Sequence, residues 1–150
     1  MTATGIKPAP KWRYTMKITV ETTVSAPIKK VWSAYTTPAD IVQWNAASDD
    51  WHTTKAEADL RVGGAFSSRM EAKDGSFGFD FAGTYTQIVE NKLIEYFFGD
   101  RTAQIGFSEG PGGIKVQVTF DAEETNPVEM QQAGWGAILN NFKKYVEAKK

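Results

Sequence analysis

Residues 127–148, PVEMQQAGWGAILNNFKKYVEA, decide how the rest of the chain is interpreted. Apolar residues recur there at helical spacing, Pro127 is typical of a first helical residue, and Asn126, which precedes it, is typical of an N-cap. The pattern predicts one long closing helix. Gly134 and Gly136 flank Trp135 within it, although an interior glycine costs about 1 kcal/mol relative to alanine. They lie at the edges of the inward stripe, where they indicate either close packing or the rim of a cavity.

The segments before this helix supply the surface that it covers. Alternating polar and apolar residues predict strands at 16–24, 51–58, 65–72, 77–89, 92–99, 102–108 and 114–121. Helical spacing predicts two short helices after the first strand, at 27–35 and 38–44. The links between the later strands are short and turn-rich, which favours an antiparallel meander. The sequence therefore predicts an α+β fold, a curved antiparallel sheet of about seven strands against the closing helix.

One face of the predicted sheet is densely aromatic. Phe77, Phe79 and Phe81 alternate along one strand, and Tyr96 and Phe98 alternate along the next. Residues that alternate in a strand point to the same face, so these rings share the face that the helix covers. The intervening positions are mostly polar. The sequence thus predicts one solvated face and one aromatic, concave face.

The closing helix has an unusual inward stripe. Its second half presents apolar side chains, but Gln131 and Gln132 precede Trp135 on the same side, beside Val128. Polar groups on an inward face usually meet a partner or water. We therefore expect the first half of the helix to lie over a cavity. The predicted cavity wall consists of Trp44, Trp51, Phe66, Ser68, Met70, Phe79, Phe81, Tyr96, Phe98, Phe107, Gln131, Gln132 and Trp135.

Composition excludes several classes of function. The net charge is −1 with both signs interspersed, so no nucleic-acid surface is expected, and no apolar run is long enough for membrane insertion. With no cysteine and one histidine, His52, neither a metal site nor a cofactor is expected. Residues 1–15 are predicted to be a flexible leader before a single domain at 16–150. The missing signal-peptide pattern favours the cytoplasm.

Four stretches together resemble a known family: APIKKVWSAYTTPADIVQWN, ADLRVGG, FAGTYTQIVENKLIEYFF and GWGAILNNFKKYVE. They are similar to the SRPBCC superfamily of START-like, helix-grip proteins, and specifically to the branch named for activators of the heat-shock-protein-90 ATPase, also called polyketide-cyclase-like. The resemblance covers about residues 16–148 and implies a curved sheet gripping a long helix over a hydrophobic cavity.

The resemblance implies three functions between which the fold does not choose. We favour binding of a hydrophobic small molecule between the sheet and the last helix. The alternatives are a chaperone partner, contacted through the outer surface, and a cyclase-like or hydrolase-like enzyme. That enzyme would use Tyr96, His52 or a buried carboxylate as acid or base. The sequence shows no converging carboxylates and no nucleophile elbow, so an enzyme is the weaker hypothesis.

Overall fold

The computed structural model describes residues 16–149. The predicted leader, residues 1–15, lies outside this range. In chain order the elements are β1 Lys17–Val24, α1 Ile28–Thr36, α2 Pro38–Trp44, β2 Trp51–Ala58, β3 Ala65–Ala72, β4 Gly78–Val89, β5 Leu93–Phe98, β6 Arg101–Gly110, β7 Gly113–Asp121 and α3 Val128–Ala148. This order confirms the predicted α+β, helix-grip fold.

All seven strands form one antiparallel sheet in the order β1-β7-β6-β5-β4-β3-β2. The six later strands form a meander, and β1 joins it beside β7, so that β1 and β2 are the two edges. Bulges interrupt the register between Thr53 and Lys55 and between Tyr85 and Gln87. Bulges bend a strand and increase its twist. The curved sheet then wraps around α3.

Two helix starts differ from the prediction by one residue. Pro27 and Pro127 are N-caps and not first helical residues, because both have extended backbone, with ψ angles of 151° and 148°. The side chain of Asn126 therefore does not cap α3; its Nδ2 donates to Glu123 Oε1 at 2.8 Å. At α2, Thr37 is the N-cap and Pro38 the first helical residue, as predicted.

The tightly packed core lies beneath the second half of α3. Phe142 and Val146 are fully buried there, against the fully buried Val24 of β1 and Val31 of α1. Edge-to-face contacts between aromatic rings add to this core; for example, the ring centroids of Trp44 and Phe142 are 4.9 Å apart. Such pairs contribute about 0.5–1.5 kcal/mol beyond the area that they bury. The second half of α3 is thus anchored, which leaves its first half to shape a cavity.

A polar clamp joins α2 to the end of α3. The carboxylate of the buried Asp40 accepts hydrogen bonds from Lys149 Nζ at 2.6 Å and from the Tyr145 hydroxyl. Burial alone would raise the pKa of Asp40, but the hydrogen bonds from Lys149 and Tyr145 and the charge of Lys149 lower it below its ordinary value.

No helix within residues 16–149 is long and apolar enough to cross a membrane.

Candidate functional site

A cavity of about 350 Å³ lies between the concave face of the sheet and the first half of α3. Small-molecule sites typically measure about 300–1,000 Å³, and an engineered apolar cavity of about 150 Å³ already binds benzene. The strands β3 to β7 form its floor, α3 covers it, and residues of α1 and α2 close one side. Its size therefore suits a small organic molecule with more than one ring or a short chain.

Trp135 is the central aromatic residue of the cover. Its indole stacks on Phe120 with the ring centroids 3.9 Å apart and the planes 9° from parallel. It also meets Phe98 at 5.7 Å and Phe81 at 6.1 Å. These rings pack against one another at the edge of the cavity and do not fill it. The indole is half-buried, so it will report on changes inside the cavity.

Gln131 is the polar residue of α3 that points inward, and its amide is fully used. Nε2 donates to the carbonyl of Asn126 at 2.8 Å and to that of Glu123 at 3.1 Å. Oε1 accepts from the Glu123 backbone N–H at 2.8 Å. The amide thus fixes the loop between β7 and α3, and in this way holds the start of the helix over the cavity. The inward amide of Gln131 therefore has its hydrogen-bond partners in the loop between β7 and α3.

Three tyrosines contribute hydroxyl groups to the cavity wall. Tyr85 and Tyr96 face each other across β4 and β5, and Tyr35 approaches from α1. Burial raises the pKa of Tyr85 to about 12, with a smaller contribution from the charge of Asp59. Burial, and then the neighbouring tyrosines, also raise the pKa values of Tyr96 and Tyr35. All three phenols are therefore neutral near pH 7 and act as hydrogen-bond donors or acceptors.

These hydroxyls have no partner among the described residues. Within residues 16–149, no group hydrogen-bonds to the hydroxyls of Tyr35, Tyr85 or Tyr96, or to that of Ser68. Every completely enclosed side-chain nitrogen or oxygen in that range is paired, so the four hydroxyls reach open space in the cavity or at its rim. The wall combines a mainly apolar surface with a few polar groups that are available to a ligand.

Arg101 adds a positive charge to this wall. It is the first residue of β6 and pairs with Phe98 of β5, and its guanidinium carbon lies 4.5 Å from the centre of the Phe98 ring. Nε donates to the carbonyl of Asp121 at 3.0 Å. The cation is thus held in place by one hydrogen bond and one aromatic face.

Most of the predicted wall residues border the cavity. The structure places the following ten there: Trp44, Phe66, Ser68, Met70, Phe79, Phe81, Tyr96, Phe98, Gln131 and Trp135. A role for them in ligand binding stays a prediction.

Three predicted wall residues lie elsewhere. Phe107 is core, because α1 covers that end of β6 and brings Trp32 within 5.3 Å of its ring. Trp51 begins the edge strand β2 and packs on Phe79 at 6.0 Å, outside the cavity. Gln132 is exposed and its Nε2 reaches the Thr19 carbonyl of the other edge strand at 3.4 Å. Val128, predicted beside it, is exposed as well.

Several wall residues were not predicted, although the sequence contains a signal for some of them. Tyr85 has the same strand parity as Phe79 and Phe81, and Arg101 has the same parity as Ala103, so alternation places both on the concave face. The predicted strand begins at residue 102, whereas β6 begins at Arg101, so the prediction leaves Arg101 outside the strand. Tyr35, Asn45, Glu123 and Ile138 come from other elements, and only the tertiary structure brings them to the cavity.

The residues proposed for acid–base chemistry are not brought together. His52 lies on β2 opposite Glu71 and is not part of the cavity wall. The buried carboxylates of Asp40 and Asp121 are each paired with a lysine, outside that wall. Tyr96 does line the cavity, but burial raises its pKa, so that the phenol stays protonated near pH 7 and is not available as a base. No group of three potential metal ligands occurs within residues 16–149.

A curved antiparallel sheet that grips a long C-terminal helix over a cavity defines the START-like, helix-grip class of protein. Residues 25–147 match the family model described as Activator of Hsp90 ATPase homolog 1-like protein. The chain belongs to this family, a branch of the SRPBCC superfamily.

Solved structures agree with this assignment. The chain is 48% identical to an AHSA1-like protein from Aeromonas hydrophila, over 89% of this chain and 93% of that one, with a TM-score of 0.84. It is 52% identical to Chr148 from Cytophaga hutchinsonii, over 87% and 92% of the two chains, with a TM-score of 0.76. NE0264 from Nitrosomonas europaea shares the fold at 17% identity, over 88% and 94%, with a TM-score of 0.75. No curated protein matches the chain.

Proposed function

We propose that this protein binds a hydrophobic small molecule in the cavity beneath α3. The observation that carries the proposal is the cavity wall itself, in which hydroxyl groups that have no partner within residues 16–149 lie among aromatic rings. A polar group in an apolar cavity costs about 1–3 kcal/mol if it is left unsatisfied. A ligand with an apolar body and one or two polar atoms would satisfy the hydroxyls of Ser68 and Tyr96 and cover the rings around them.

The neutral fluorophore N-phenyl-1-naphthylamine tests this proposal, because its emission rises when it enters an apolar site. Titration into the protein should give saturable fluorescence. Ser68→Leu places a bulky side chain in the cavity and should weaken binding at least about tenfold, since a filled pocket cannot accept the probe without strain. Ser67→Leu is the matched control, because Ser67 is the neighbour of Ser68 on β3 and points to the opposite face.

The two serine variants separate cavity binding from surface adsorption. Weaker binding of the probe by Ser68→Leu, but not by Ser67→Leu, supports the proposal. Equal binding by both variants would show that the probe adsorbs outside the cavity, and the absence of saturable fluorescence in the wild type would reject the proposal. The midpoints of thermal unfolding of both variants establish that the comparison is between folded proteins.

The family description supplies a second candidate, an interaction with the Hsp90 chaperone that stimulates its ATPase. The rate of ATP hydrolysis by a purified chaperone of that class, with and without this protein, tests it. Stimulation that persists in Ser68→Leu would assign the activity to the outer surface. Unchanged hydrolysis together with no complex in a pull-down would remove this candidate.

A further inference from the structure

Arg101 is positioned as a receptor for a charged group inside the cavity. Alternation along β6 places it on the concave face with Ala103 and Ile105, both fully buried. Its side chain crosses the ring of Phe98 and is fixed through Nε to the Asp121 carbonyl at 3.0 Å. Both terminal Nη atoms, with four N–H donors, remain beyond these contacts.

The carboxylates near Arg101 have other partners. The Asp121 carboxylate pairs with Lys17 and accepts from the Thr102 backbone N–H at 2.9 Å. Glu123 also borders the cavity, and its Oε1 accepts from the Asn126 backbone N–H at 2.7 Å. Within residues 16–149, no carboxylate forms an ion pair with Arg101. A half-buried cation that borders an apolar cavity and has no ion-pair partner within residues 16–149 favours an anion that enters the cavity.

We propose that the ligand carries an anionic group, such as a carboxylate, which the Nη atoms of Arg101 bind while its apolar body lies against Phe81 and Ile138. This inference rests on the proposed function and adds the chemical class of the ligand: an amphipathic aromatic or acyl acid. The planar guanidinium matches a carboxylate with two parallel hydrogen bonds. The hydroxyls of Tyr96 and Ser68 are further donors on the same wall.

The test compares two probes with a similar aromatic body. N-phenyl-1-naphthylamine is neutral, whereas 1-anilinonaphthalene-8-sulfonate carries one negative charge. Arg101→Gln should raise the Kd of the sulfonate about tenfold or more, because a charge-assisted hydrogen bond is lost, and should change the Kd of the neutral probe by no more than about twofold. Arg101→Lys keeps the charge and should recover part of the sulfonate affinity.

Arg61→Gln is the matched control. Arg61 is exposed and pairs with Asp59 at 2.8 Å in the β2–β3 turn, away from the cavity, so this variant makes the same change in net charge. It should bind both probes as the wild type does. An equal loss of sulfonate affinity in Arg61→Gln and Arg101→Gln would overturn the proposal, because net charge alone would then explain the effect.

A measurement on the wild type keeps the proposal falsifiable if Arg101→Gln does not fold. Decanoate should displace N-phenyl-1-naphthylamine at about one-tenth of the concentration that decan-1-ol requires. Equal potency would overturn the anionic assignment and leave cavity binding in place. If the neutral probe itself does not bind, the proposed function fails first. The two failures are therefore distinguishable.

Discussion

Replacement of Gly134 and Gly136 by alanine tests whether the glycines of α3 have a packing role. Within residues 16–149, and apart from the adjacent residues and the backbone of the helix itself, a Cβ added at Gly134 meets no atom within 4 Å, and one added at Gly136 meets only Val20 Cγ1, at 3.7 Å, which is ordinary van der Waals contact. Neither methyl group needs the neighbouring structure to move. Each substitution should therefore stabilise the protein by about 0.5–1 kcal/mol, through helix propensity and reduced freedom of the unfolded chain.

The free energy of unfolding, measured by urea denaturation, checks this expectation. The double variant should gain about 1–2 kcal/mol, since positions two residues apart on a helix do not face each other and their effects add. The corresponding rise in Tm is about 3 °C for each kcal/mol in a chain of this size. The control is Ala133→Gly, the reverse change on the exposed side of the same helix, which should lose about 1 kcal/mol.

A lower stability of Gly134→Ala would refute this reasoning, because no side chain or strand blocks the added methyl group. A second informative result would be higher stability together with slower or weaker binding of N-phenyl-1-naphthylamine. Neither glycine is part of the cavity wall, so the loss would come from a stiffer α3 and would assign the glycines to a motion that admits the ligand. Higher stability with unchanged binding is the expected outcome.

Two further variants test the sheet and the clamp. A Cβ at Gly83 would lie 2.0 Å from the Phe97 carbonyl oxygen, so Gly83→Ala should lower the free energy of unfolding, measured by urea denaturation, by about 3 kcal/mol. Gly106→Ala is the control, because a Cβ there meets open space, and it should leave the free energy of unfolding nearly unchanged. Asp40→Asn loses the ion pair with Lys149 and should cost about 1–2 kcal/mol at pH 7. Because the folded-state pKa of Asp40 is lowered, the wild-type protein should lose stability as the pH decreases below about 4. The Asp40→Asn variant should lose less stability over the same pH range.

The strands and helices could be predicted from the sequence because strict alternation and helical spacing are local signals. Alternation also predicts which side chains lie on the concave face, because successive residues of a strand point to opposite sides of the sheet. Parity does not say where along a strand the covering helix lies. Phe107 and Phe98 are both inward, yet α1 covers the first and the cavity borders the second.

The closing helix shows the corresponding limit of a helical wheel. The wheel places Gln131 and Gln132 on one side of Trp135, but it does not locate the edge of the sheet beneath them. In the structure β1 passes under that side, so Gln132 reaches the Thr19 carbonyl and solvent, while Gln131 turns to the loop. A difference of one residue, or about 100° around the helix, therefore separates a buried tether from an exposed side chain.

The polar chemistry of the cavity comes from residues that look like ordinary core or turn in the sequence. Gln131, the residue that the pattern singles out, is fully paired with the β7–α3 loop and has no donor left for a ligand. Tyr85 and Tyr96 fit an apolar alternation, and Arg101 follows a turn, yet the two tyrosine hydroxyls and the Nη atoms of Arg101 have no protein partners among the described residues. Whether a polar atom is satisfied depends on contacts between distant parts of the chain. A ligand for this protein is therefore better sought from the unpaired donors around Arg101 than from the irregularities of the last helix.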